Sequence, residues 1–288
     1  MFIYLFIILF SIGIIYHHYI LSLFIDTLAS FMSFIFSNIE NSRKKIVLYN
    51  ISLVFPNFNN EKKKQILFQS TKISIINVLS GLFGRCLYRT NYHKNITINI
   101  PDKCLHDIDN VGILLVSSHY SMIYTGTNYI GYSANRKTNT VYKKQKYINY
   151  FLYPSNTYSN TNFIPFIPAL TKEKLIKIKG GIVILACDQK AYNDKPKIKF
   201  LNQLVKFHYG PALLHLKTGR KIWYADITYN LKTMKQQAYF VDISSQLIKN
   251  STDTDITQKI ADTMSERIML HPEQYLWFYN RFSKNQYN

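Results

Sequence analysis

Two stretches of the chain, Gly112–Ser117 and Gly181–Cys187, are of strand length and almost wholly apolar. A strand apolar at every position has no face left for water, so both runs demand a sheet covered by helices on either side. Helix-like stretches separate and follow them, and that alternation is the α/β pattern. Each run also ends in polar residues: Ser118-His119 after the first, Asp188-Gln189 after the second. Ligand crevices of open α/β sheets form at the carboxyl ends of strands, so the two runs are expected to deliver His119 and Asp188 to one edge.

The remaining pieces fill out this sheet. Asn95–Ile100 alternates as an edge strand should, and Thr140–Tyr142 is a short strand leading into Lys143-Lys144. Two prolines limit Asn162–Pro168 to an extended edge. Tyr147–Tyr158 reads as an aromatic helix or loop, and Lys172–Lys179 as a basic amphipathic helix stopped by Gly180-Gly181. Lys197–Phe200 and Lys221–Tyr229 are further strands with a helix, Tyr209–Thr218, between them, and Gln237–Ile243 completes a meander. Asp253–Leu270 is a helix with Thr252 or Asp253 as its N-cap. The expected fold is therefore α/β, a central mixed sheet flanked by helices.

The N-terminal stretch has a different character. Phe2–Tyr16 is apolar apart from Ser11, and beyond a belt of Tyr and His the run continues to Ile25. A helix of that length reaches roughly 35 Å, enough to cross a hydrocarbon core. No Lys or Arg precedes it and no small-residue cleavage site follows, so it reads as a transmembrane helix and not a cleaved signal. A second apolar patch, Leu28–Phe36, leads to Arg43-Lys44-Lys45, with Lys62-Lys63-Lys64 further on. The positive-inside rule then puts the body on the cytoplasmic face of the inner membrane. Residues 1–37 are read as the membrane segment and 38–288 as the α/β domain. Within the latter, Lys44–Phe58 and Asn60–Leu82 have helical spacing and would cover the sheet or lie on lipid.

Composition narrows the function classes. The chain has 35 Lys+Arg against 16 Asp+Glu, a formal charge of +19 that favours phosphates, acidic proteins or anionic headgroups. Nucleic acid would suit the charge alone, but no helix-turn-helix, ribonucleoprotein or zinc pattern occurs and a leading membrane helix argues against it. No G-x-S-x-G, P-loop or G-x-G-x-x-G is present, which leaves serine-hydrolase and nucleotide chemistry without support. Cys86, Cys104 and Cys187 lack C-x-x-C spacing, so they read as reduced thiols, and neither metal nor cofactor is expected.

In its order of motifs the chain resembles the late acyltransferases of lipid A biosynthesis, members of the lysophospholipid acyltransferase superfamily. The stretches that carry the resemblance are the N-terminal segment, Tyr49–Leu67 with its Asn50-x4-Phe55-Pro56, the strand ending in His119, Asp188-Gln189 followed by Phe200, and Pro272–Phe282. The resemblance implies that a histidine takes a proton from a hydroxyl, which attacks an acyl thioester on acyl carrier protein or coenzyme A. The acceptor implied is an anionic glycolipid or lysolipid. In the family's H-x4-D/E motif an acid orients this histidine.

His119 falls on the histidine, but Tyr124 stands at the acid position. Three outcomes stay open: the Tyr124 phenol orients the ring, Asp188 takes that role, or the chemistry is lost and the chain only binds lipid. Lys143-Lys144 stand where the family tends to have arginine, and with Gln189 they are the expected substrate-binding residues.

Overall fold

A computed structural model of the protein describes residues 2–82, 96–121, 123–142, 161–166, 168–191 and 194–282. The first helix, α1 (Phe2–Asn38), is one element, so the two apolar stretches flanking Asp26 form a single helix. What makes this tolerable is Lys72 on α3 (Asn60–Leu82), whose ammonium lies 2.9 Å from the Asp26 carboxylate. Around that pair Ile25 and Ala29 of α1 pack with Ile73 and Ile76 of α3 and with Ile227 and Tyr229 of the sheet. Ile20–Asn38 is by itself long and apolar enough to cross a membrane. Its outer face exposes Ile20, Phe24, Phe31 and Phe34. Helix α2 (Ser42–Val54), N-capped by Asn41, sits between α1 and α3 in the chain.

The sheet has seven strands in the order β1-β9-β8-β2-β5-β3-β4. These are β1 (Ile96–Thr97), β2 (Ile113–Ser117), β3 (Thr138–Tyr142), β4 (Thr161–Pro165), β5 (Ile182–Ala186), β8 (Lys221–Tyr229) and β9 (Gln236–Asp242). Neighbours run parallel except β8 and β9, whose antiparallel hairpin makes the sheet mixed. A small second ribbon pairs β6 (Ile198–Phe200) with β7 (Gln203–Val205). The proline-bearing β4 is at the edge, where a missing N–H costs least.

The doubly apolar strands are central because their side chains have a core to enter on either face. Leu114 and Val116 of β2, Val183 of β5 and Tyr224 of β8 point into the larger core. That core is completed by α2, α3, α7 (Gly210–Thr218) and α8 (Asp253–Leu270). Ile113, Leu115, Ile184 and Trp223 point the other way, against α4 (Asp102–Asn110) and α5 (Ile123–Ala134). Helix α6 (Pro168–Lys177) precedes β5, and α8 is N-capped by Thr252 in a reciprocal capping box with Asp255.

Register is pinned at the lower end of the sheet. Gly112 and Gly181 enter β2 and β5 with φ of 77° and 66°, where a β-carbon would be strained. A β-carbon on Gly112 would also stand 2.6 Å from the Arg220 guanidinium, which binds the carbonyls of Ile178 and Gly180. Ile113 consequently pairs with Ile182 and Ser117 with Ala186.

Candidate active site

That register decides the site. Because β2 and β5 are parallel and end level, His119 and Asp188, each two residues past its strand, emerge side by side. His119 Nδ1 lies 2.7 Å from Asp188 Oδ1. The carboxylate is buried and the His119 side chain keeps 18 % exposed.

Burial disfavours charge on both groups. For His119 the Asp188 charge and hydrogen bond outweigh burial and raise its pKa above the ordinary 6.5. For Asp188, burial is likewise outweighed by the charge and hydrogen bond of His119, helped by Tyr275, and its pKa falls below 3.8. With Asp188 ionised, Nδ1 carries the ring proton and donates it, which leaves the lone pair on Nε2. Gln189 stands at that nitrogen, its side-chain Nε2 3.0 Å away and donating.

The second carboxylate oxygen has a partner that sequence reasoning missed. Tyr275 donates its phenol to Asp188 Oδ2 over 3.0 Å. Burial, reinforced by the negative Asp188, raises the pKa of this phenol well above 10 and keeps it a donor. Tyr275 arrives on the C-terminal strap, which pairs with the rim through a bridge to Tyr120 and a Leu276 N–H bond to the His119 carbonyl. Asn50 of α2 fixes the strap by donating to the carbonyls of Trp277 and Tyr279, at 2.8 and 3.0 Å. Phe55 and Tyr275 both meet the Trp277 ring edge-on. The Asn50-x4-Phe55-Pro56 and Pro272–Phe282 stretches, far apart in sequence, thus act on one another. A tyrosine in a conspicuous aromatic stretch was the available signal, but nothing in its spacing pointed to Asp188.

Arg281 follows on the same strap, buried with its guanidinium 5.3 Å from the Phe200 and Phe207 ring centres. Half-buried His208 lies near it, its pKa lowered first by burial and then by the Arg281 charge. Of the other expected residues, Tyr124 lies in the first turn of α5, and its side chain is outside the described residues. Lys143, Lys144 and the Tyr147–Tyr158 segment also lie outside them.

The arrangement is of the kind that a base–orienter pair requires: an imidazole at the sheet rim with a buried carboxylate behind it. Comparison with curated proteins finds no match. A family model, that of the bacterial lipid A biosynthesis acyltransferases, matches residues 1–284. With that match spanning nearly the whole chain and the histidine and acid meeting at the sheet rim, the protein belongs to the bacterial lipid A biosynthesis acyltransferase family.

Proposed function

We propose that the protein moves a fatty acyl chain from an acyl thioester, on acyl carrier protein or coenzyme A, to a hydroxyl of a lipid A precursor or related anionic glycolipid or lysolipid. The observation that carries this is the 2.7 Å contact between His119 and Asp188, which supplies the carboxylate that Tyr124 lacks. His119 Nε2 takes the hydroxyl proton while the oxygen attacks the thioester carbonyl. Asp188 holds the ring tautomer and balances the imidazolium that forms. Gln189 yields its place at Nε2 to the incoming hydroxyl and remains beside it as a substrate-binding amide. Collapse of the tetrahedral adduct expels a thiolate, which recovers the proton from His119.

Lys143 and Lys144 bind acceptor phosphate in this reading, and the excess of 35 Lys+Arg over 16 Asp+Glu attracts both an acidic carrier and a phosphorylated lipid. Residues 1–37 form the membrane segment and 38–288 the acyltransferase domain. The basic clusters Arg43-Lys44-Lys45 and Lys62-Lys63-Lys64 favour the cytoplasmic face of the inner membrane. The test is transfer by membranes carrying the full chain, given labelled acyl carrier protein and acyl-coenzyme A in parallel with a panel of phosphorylated acceptors. Transfer that disappears in His119→Ala is expected, and transfer that persists in that variant removes the proposed base.

A further inference from the structure

A pocket of about 70 Å³ lies beside His119, lined by Ser121 and Gln274, by Leu276 of the strap and by Ser74 and Asn77 of α3. Ser121 carries two costs that its surroundings leave unbalanced. It is buried, 5 % exposed, and its Oγ has no hydrogen-bond partner among the described residues. An orphaned hydroxyl of this kind opposes folding. Its φ is +43°, a left-handed conformation that a residue with a β-carbon adopts against its preference.

The scaffold imposes that conformation. The Ser121 N–H donates to the Gln274 carbonyl at 2.5 Å, beside the Tyr120–Tyr275 bridge. Gln274 is itself immobilised, its side-chain amide making two 3.0 Å bonds to the Tyr229 main chain. A strained residue held rigidly in the wall of the pocket beside His119, with a hydroxyl that has no partner among the described residues, is where a donor fixed in advance for a reacting group is found. Negative charge is also favoured here, because α5 begins two residues on, at Ile123, and presents its N-terminal end.

We infer that Ser121 is an oxyanion donor: its Oγ–H holds the thioester carbonyl oxygen and binds it more strongly as that oxygen gains charge. The inference rests on the acyl-transfer reading above. As the acceptor oxygen bonds to the carbonyl carbon, its proton goes to His119 Nε2 and the carbonyl π pair moves onto the oxygen held by Ser121. When that pair returns, the carbon–sulfur bond breaks, and the departing thiolate takes the proton from His119. Ser121 keeps its own proton throughout.

The test compares the full-length wild type in detergent with Ser121→Gly, Ser121→Ala and His119→Ala. Glycine suits a φ of +43°, so Ser121→Gly removes the hydroxyl while relaxing the backbone. Both serine variants are expected to lose about 10²-fold in kcat with little change in KM, the loss for one oxyanion donor. Ser121→Gly is also expected to melt roughly 2 °C or more above wild type, since strain and an orphaned group are gone. A kcat within threefold of wild type, or a lowered melting temperature in Ser121→Gly, overturns the assignment. A wild type that transfers, fails in His119→Ala and is undiminished in Ser121→Gly removes this proposal alone, whereas a wild type that transfers nothing removes the acyl-transfer reading and this one with it.

Discussion

Asp188 is held from both sides: one carboxylate oxygen faces His119 at 2.7 Å and the other receives the Tyr275 phenol at 3.0 Å. Neither oxygen is left to rotate away, so the carboxylate plane, and through it the imidazole plane, is set by the sheet on one side and the C-terminal strap on the other.

Replacing Asp188 by Asn preserves the shape and discards the charge. A neutral amide can present its N–H to Nδ1 and stabilise the wrong tautomer, so kcat is expected to fall on the order of 10⁴-fold. Steady-state transfer assays, with the melting temperature measured beside them, separate this from misfolding.

The pH dependence follows from His119. The ring acts as a base only when neutral, and its pKa is raised above 6.5 because Asp188 outweighs burial. A profile of kcat/KM against pH is therefore expected to rise through a limb above 6.5. Stability has the opposite sign for this group: its contribution is full below 6.5 and is lost as pH rises through the folded value. Asp188, with its lowered pKa, contributes above 3.8, and that share is lost as pH falls through its folded value. Ring titration by NMR in the Asp188→Asn variant should show the His119 pKa falling, since burial then acts unopposed.

Tyr124 occupies the family's acid position, yet the Nδ1 hydrogen it would orient is already bound by Asp188. Tyr124→Phe is accordingly expected to keep kcat within a few-fold of wild type. A loss approaching that of Asp188→Asn in the same assay would make Tyr124 the orienter instead.

Asn50→Ala tests the strap. It strips the donor from the buried carbonyl of Trp277 and from that of Tyr279, which should cost about 1–3 kcal/mol in denaturant unfolding. Transfer should weaken as well, because Tyr275 travels with the strap, while His119 and Asp188 are carried by strands the substitution does not touch.

The strands that build this site were legible because burial on both faces leaves a mark in composition: Ile113–Val116 and Ile182–Ile184 are buried at every position. Their polar ends were legible for the same reason, since a polar group after such a run must lie at the rim. Whether Asp188 or Tyr124 serves His119 was not readable, because it depends on the level at which two parallel strands end, and that is set by Gly112, Gly181 and Arg220 at the opposite end. Tyr275 was further out of reach: 87 residues separate it from Asp188, and Asn50 and Tyr120 hold the strap that brings it there. The continuity of α1 was hidden by Asp26, whose neutralising lysine lies 46 positions away.

The Asp26–Lys72 pair has a mechanical corollary. A leading helix of 37 residues, roughly 55 Å long, is tied to α3 by this pair and packs with it against Ile227 and Tyr229 of the sheet. Any tilt of that helix is passed through α3 to the part of the sheet where Ile227 and Tyr229 pack against it.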